Sequence, residues 1–394
     1  MIVREIRPGI SLLGFQDWHR RLFDELIPLP EGTSYNAYLI DGGEKTVLID
    51  TADPRCQNEF LQALASIGKM HLDYVVANHA EQDHSGLLLE VLKKYPECRL
   101  LTSLKGKEFL TALLHLPSER IDPVADGERL SLGRLHLRFI STPWVHWPET
   151  MLSYLEEPGI LFSCDLFGAH LATSRVFAED WLNVLPAAKR YYAEIMMPFR
   201  TLIASHLKKL AGEKITLIAP SHGPIHHQPE KILEAYKEWV GPETKNEAVV
   251  VFVSMHDSVA KMVNRLVERL SLAGINVQLF NLTVTDLGQL AISLVEATTL
   301  IVACPTVLGN THPVAMSAAS LIRALRPKIR FFGVMTSYLW GGQAEETLIK
   351  TLEPLKAELL PLVKVRGCPQ EGDLKEIDSL ADRIGEKHRQ AGLL

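Results

Sequence analysis

Apolar residues follow two rhythms along this chain, and the change between them divides it. From residue 1 to about 245, short apolar runs alternate with polar loops, and helical spacing is occasional. Thr46–Asp50, Tyr74–Ala77, Arg99–Thr102, Leu135–Ser141, Met151–Leu155, Ile160–Cys164 and Ile215–Ala219 read as strands, and Cys56–Ile67 as a helix. The polar stretch Val240–Glu247, which contains Gly241-Pro242, marks a domain boundary. Beyond it, strand and helix alternate. Ala248–Val253 predicts a strand, and Ser258–Leu270 predicts an amphipathic helix with apolar residues at 259, 262, 263, 266, 267 and 270. Val277–Asn281, Thr299–Cys304, Ile329–Met335 and Leu362–Val365 bring the strands to five. The pattern predicts an αββα sandwich over 1–245 and a doubly wound, five-stranded parallel sheet over 246–394.

The first half ends its strands in residues that bind metals. Directly after Tyr74–Ala77 come His79, Glu81, Asp83 and His84; His146, Asp165 and His222 follow other predicted strands. Strand ends bring such loops to one edge of a sheet. A lone histidine is most often a satisfied core or surface residue, and the chain has 15. The packed spacing His79-x-Glu81-x-Asp83-His84 is different, because so many polar side chains beside one buried strand are costly to desolvate without a cation. The candidates exceed what one four-coordinate ion needs, and a central carboxylate, for which Asp165 is the natural choice, bridges a pair of ions. Three carboxylates among the ligands favour iron or manganese over zinc. Cys164 is read as a small core residue on the opposite face from Asp165. His226 and His227 are read as surface residues, and Tyr191, Tyr192 and Trp147 as core aromatics that are also candidates to line the pocket.

Composition narrows the alternatives. The 394 residues are 47% hydrophobic and 22% charged, with net charge −6, so no basic face for nucleic acid is expected. Apolar stretches are interrupted well short of bilayer length, and the start lacks a secretion-signal core. Five cysteines without a Cys-x-x-Cys pair argue against a rubredoxin or ferredoxin-like module and fit a reducing compartment. A cytoplasmic protein is expected.

The metal loop resembles that of the metallo-β-lactamase superfamily, where it usually reads His-x-His-x-Asp-His. Here Glu81 replaces the middle histidine, which points away from zinc hydrolysis and toward redox chemistry. Further segments carry a closer resemblance: Phe15-Gln16-Asp17-Trp18, Gly32–Ile40, Asn78–Gly86, Thr142–Pro148, Ser163–Gly168 and Ser221-His222-Gly223. Over almost its whole length the chain is similar to flavodiiron proteins, the A-type flavoproteins, in which a metallo-β-lactamase-like domain precedes a flavodoxin-like one. That resemblance implies that His79, Glu81 and His146 bind one iron, Asp83 and His222 the other, and Asp165 both, with His84 either approaching the second iron or turning away.

It also implies FMN in the second half, on loops at the C-terminal strand ends. These are Ser254, Met255, His256, Asp257, Ser258 and Val259; then Pro305, Thr306, Val307, Leu308, Gly309 and Asn310; then Ser337, Tyr338, Trp340, Gly341 and Gly342. The first suits a phosphate at a helix N-terminus, although a plain turn capped by Asp257 or Ser258 explains it as well. The aromatics of the third suit stacking on an isoalloxazine ring. Val259 stands where the family usually has threonine, Leu308 and Gly309 where it has polar residues, and Leu339 where it has glycine. A lost hydrogen bond to a charged phosphate costs roughly 1.5–3 kcal/mol, or about tenfold to a hundredfold in affinity, so FMN is expected to bind less tightly than usual.

The activity implied is reduction of O₂ to water, of NO to N₂O, or both, as an oxidoreductase. The alternative is a metallo-β-lactamase-type hydrolase with an appended flavodoxin domain. With no rubredoxin or flavin-reductase module in the sequence, electrons are expected from a separate rubredoxin-like protein or a reduced deazaflavin. The resemblance further implies a head-to-tail homodimer or dimer of dimers, one chain's FMN beside the other's irons.

Overall fold

The computed structural model describes residues 1–68 and 71–394. Two compact units emerge: Met1–Tyr192 with Phe199–Val240, and Gly241–Leu394 with the short segment Ala193–Pro198.

The first unit is built on two sheets. One runs Ile2–Arg7, Ile10–Asp17, Thr33–Asp41, Thr46–Ile49, Tyr74–Val76, Arg99–Ser103, Ile121–Val124. Its first four strands are antiparallel, and from Thr46–Ile49 onward the pairing is parallel. The other runs Arg129–Ser131, His136–Ser141, Met151–Leu155, Ile160–Cys164, Leu217–Pro220, the last pair parallel. Strand alternation explains why both faces of the first sheet are apolar. Val47, Ile49 and Val76 enter the core shared with Phe139, Met151, Phe162 and Leu217 of the second sheet. Leu48 and Val75, one residue out of phase, pack outward with Phe60, Leu88, Val91 and Leu110 of the covering helices. This is the expected αββα layering. The strands predicted for this unit fall within a residue or two of those observed, but the three of the first sheet that precede Thr46, the short pair Leu22–Phe23 and Ile27–Pro28, and Ile121–Val124 and Arg129–Ser131 were not foreseen. Thr33–Asp41 is buried almost throughout despite Thr33, Ser34 and Asn36, because Asn36 donates to the carbonyls of Pro220 and Gly223. A polar residue with internal partners hides a strand from a hydrophobicity pattern.

The second unit has the doubly wound parallel sheet. Its order is Asn276–Asn281, Lys245–Phe252, Ala297–Val307, Phe331–Tyr338, and a fifth position split between Glu358–Leu359 and Val363–Arg366. Ser258–Leu272 packs its apolar stripe, Val259, Met262, Val263 and Leu266, against the sheet and the C-terminal helix Glu371–Gln390.

Candidate functional site

Protein hydrogen bonds alone pin the loop after Tyr74–Val76. Asn78 donates its backbone N–H and its side-chain amide to the buried carboxylate of Asp50, and Ser153 donates to Asn78. His79 therefore leaves the strand in a fixed direction, and Asp83 and His84 sit on the helical turn Gln82–Ser85 rather than on an extended loop.

The structure brings His79, Glu81, Asp83, His84, His146, Asp165 and His222 together at one sheet edge. They form two groups that share one carboxylate. Glu81 Oε2 lies 3.2 Å from His79 Nε2 and 3.0 Å from His146 Nε2, and Asp165 Oδ2 is 3.4 Å from that same His79 nitrogen. On the other side, Asp83 Oδ1 and Oδ2 are each 3.2 Å from His84 Nε2 and His222 Nε2 respectively. Asp165 Oδ1 reaches this second group, 3.0 Å from His84 Nε2 and 3.4 Å from His222 Nε2. Asp165 thus turns one oxygen to each group.

These contacts are short, yet several are not hydrogen bonds. Both Asp83 oxygens, Asp165 Oδ2 and His84 Nε2 are buried without a hydrogen-bond partner among the described residues. Side chains that converge at 3.0–3.4 Å with their lone pairs unsatisfied fit cations between them, since such burial is otherwise expensive. The outer nitrogens are already committed. His79 Nδ1 lies 2.6 Å from Glu149 Oε1, and His222 Nδ1 donates to the Ser34 carbonyl at 2.7 Å. A proton held on Nδ1 leaves the Nε2 lone pair facing inward, the support that metal-ligating histidines use.

Electrostatics record the same crowding. Burial opposes a charge on His79, but its hydrogen bonds to Glu149 and Glu81 prevail and lift its pKa to about 10. His222 is lifted to about 9 against burial by Asp165 and Asp83. Burial pushes Asp165 upward, yet His84 and His222 hold it well below the usual carboxylate range, and Glu81 is likewise held down by His146 and His79.

Several neighbours were missed or misread from sequence. Glu149, which fixes His79 and also accepts from Ala80 N–H, had no signal beyond its place near His146. Buried His170 packs on Tyr191 and His222, its Nδ1 2.8 Å from Thr33 Oγ1. Tyr191 donates to Asp165 Oδ1 at 2.8 Å and Trp147 stands edge-on to His79, whereas Tyr192 is a core residue bonded to the Trp239 carbonyl. Cys164 does not face away: the strand ends there in a left-handed conformation, φ +49°, where alternation fails, and its sulfur joins His84 and Asp165. His226 is not a surface residue. It is buried, with Nε2 2.9 Å from the Phe167 carbonyl, because it bridges back onto Ile218; His227 is only partly buried.

A cavity of about 510 Å³ opens onto Glu81 and Asp83, walled by Arg20, Phe23, Asp24 and Trp147. Burial, then Glu81 and Asp83, push the Asp24 carboxyl up to about 6.

The second unit carries a smaller cavity of about 220 Å³ at the C-terminal strand ends. Met255, His256, Ser258, Val259, Pro305, Thr306, Ser337 and Tyr338 line it, together with Leu339 and Gly367, which was not foreseen. Ser254, Asp257, Val307, Leu308, Gly309, Asn310, Trp340, Gly341 and Gly342 are outside its lining. Leu308 and Trp340 are 90% and 72% exposed, so the indole does not form a wall. Neither Asp257 nor Ser258 caps the helix. Asp257 is left-handed with no capping bond, and Ser254 Oγ accepts from Ala260 N–H instead. Val259 both lines the cavity and packs in the core.

Comparison with known proteins agrees over nearly the full chain. Residues 33–223, which contain every metal-binding candidate, match the family model described as ODP family beta lactamase. A relative from Moorella thermoacetica named nitric oxide reductase is 34% identical, over 97% of this chain and 98% of its own. One from Methanothermobacter marburgensis named coenzyme F420H2 oxidase is 32% identical over 82% of each. The solved structure of rubredoxin oxygen:oxidoreductase from Desulfovibrio gigas superposes with TM-score 0.95, covering 99% of both chains at 29% identity. On these matches the chain belongs to the flavodiiron protein family.

Proposed function

We propose that this protein is a di-iron, FMN-dependent oxidoreductase that reduces O₂ to water, NO to N₂O, or both. The observation that carries the reading is Asp165, whose two oxygens face two separate groups of unsatisfied ligands. His79, Glu81 and His146 would hold one iron, Asp83, His84 and His222 the other, and Asp165 both. A donor set this rich in carboxylate oxygen fits iron better than zinc, so the hydrolase alternative is not favoured.

When bound, the iron pair supplies the site of bond cleavage and FMN relays the electrons. The chain's own residues do the rest. Glu149 and Ser34 O hold the His79 and His222 rings with Nε2 inward. Tyr191 keeps its proton directed at Asp165 Oδ1, and burial pushes its pKa well up, so it remains a donor at neutral pH. Phe23 and Trp147 supply apolar walls to the cavity that opens onto Glu81 and Asp83. In the second unit, Ser258 and the loop before it suit the FMN phosphate, and Tyr338 suits the ring.

Rubredoxin or a reduced deazaflavin is the donor this reading prefers, with support from relatives named rubredoxin oxygen:oxidoreductase and coenzyme F420H2 oxidase. The working unit is a homodimer with protomers head to tail. Light scattering should find a species of at least twice the chain mass, and an active monomer would remove that assignment. The deciding experiment is anaerobic stopped flow of metal- and flavin-analysed, reduced protein against O₂ and NO separately. Rapid reoxidation by one or both gases supports the proposal; zinc content with no gas consumption refutes it.

A further inference from the structure

A half-buried ion pair lies beside the flavin cavity, its carboxylate buried and its ammonium partly exposed. Lys364 lies on Val363–Arg366, in register with Thr336 on the strand that ends in Tyr338. Its ammonium donates to Glu345 Oε1 and sits 3.4 Å from the Gly342 carbonyl. The same Nζ is 4.8 Å from the centre of the Tyr338 ring, a cation–π distance. Glu345 is 6% exposed and its Oε2 has no partner among the described residues, so Lys364 is its counter-charge. These groups are packed together: a Cβ on Gly342 would lie 3.6 Å from both Lys364 Nζ and Tyr338 Cδ2. Tyr338 in turn lines the cavity.

We propose that Lys364 and Glu345 set the reduction potential of the flavin bound in this cavity, acting through Tyr338 and through their own opposed charges. The inference rests on FMN occupying the cavity. Reduction makes the isoalloxazine electron-rich. A tyrosine backed by a cation is electron-poor, stacks better on the reduced ring, and the cation itself favours added electron density. Glu345, paired with the ammonium, opposes that effect. Lys364 is a positioning and tuning residue, since Tyr338 lines the cavity and Lys364 is not part of its lining.

The two charges predict shifts of opposite sign, which a merely structural role for the pair does not. The test uses the full-length protein reconstituted with FMN. Bound-flavin midpoint potentials are read by anaerobic spectroelectrochemistry, and FMN affinity by fluorescence quenching. Lys364→Met should lower the midpoint and Glu345→Gln should raise it. Each change corresponds to about a two- to fivefold change in the preference for reduced over oxidised FMN, or about 10–20 mV for a two-electron couple. Lys364→Arg should stay near wild type. Shifts of the same sign, or none, in variants that bind FMN overturn the proposal. Should Lys364→Met not fold, Glu345→Gln decides alone, because it keeps the cation and removes only the opposing charge. A wild-type chain that takes up no FMN fails the cofactor reading itself, which separates that failure from this one.

Discussion

The metal pocket and the flavin cavity are built on opposite plans. Around Asp165 the candidate ligands are buried or, for Glu81 and His146, half-buried; Glu149 and Ser34 hold His79 and His222 from behind, and unsatisfied oxygens and nitrogens face inward. Around Tyr338 strand ends, a helix start and loops share a more open lining, with Leu339 67% and Met255 47% exposed. A charged ligand in a dry pocket needs every partner in place beforehand, because an unpaired buried charge is so costly. A large planar ligand that binds by surface contact tolerates a looser frame and gains from backbone amides that any sequence supplies. Substitutions should therefore be severe and specific in the first region and graded in the second.

The strongest break in that comparison is Asp165→Ala. Loss of the shared carboxylate should lower turnover more than about a hundredfold, since even second-layer changes at metal sites cost roughly 10–100-fold. FMN absorbance should remain. Retained reductase activity in metal-analysed protein would make the metal half structural only. Next is Glu149→Gln, which touches no metal in this reading. Iron affinity in a competition with a chelator should fall by about 10–100-fold, because His79 loses the carboxylate that fixes its tautomer.

Proton competition comes third. In metal-free protein the His79 and His222 pKa values of about 10 and about 9 mean that metal binding at neutral pH displaces a proton from each. Apparent metal affinity should rise with pH from 7 toward 9, with protons released on binding, and titration calorimetry in buffers of different ionisation enthalpy would read them. Because these histidine pKa values are raised above about 6.5, their contribution to the metal-free fold is fully present below that pH. It is lost as pH climbs through 9 and 10, so chemical denaturation of the metal-free protein should show falling stability there. The smallest effect is Val259→Thr. A hydroxyl in reach of phosphate should tighten FMN by no more than about tenfold, reduced by the apolar packing it gives up. A hundredfold gain would mean the flavin cavity is as tightly specified as the metal pocket.

The chemistry of the first region was legible because it is local. His79, Glu81, Asp83 and His84 crowd one strand end, and residue type with spacing already carries the signal. What supports them was not. Glu149, Ser34 and Tyr191 reach the site through hydrogen bonds that no periodicity encodes, and Cys164 turns inward only because the strand stops at a left-handed residue. In the second region the strand–helix alternation was plain, but the side-chain roles within its loops were not. Trp340 and Leu308 point to solvent, and Gly367 enters from a loop whose pairing with Ser337 and Tyr338 brings it there.

Sequence by itself determined the layering of both units and which residues are candidates to bind metal, because hydrophobic periodicity and ligand chemistry are properties of neighbouring residues. Only the tertiary structure decided that the Asp165 oxygens divide between two groups, and that the Lys364 ammonium packs on the Tyr338 ring. Those facts depend on strands far apart in sequence meeting at fixed register, and on which lone pairs remain unpaired once they have.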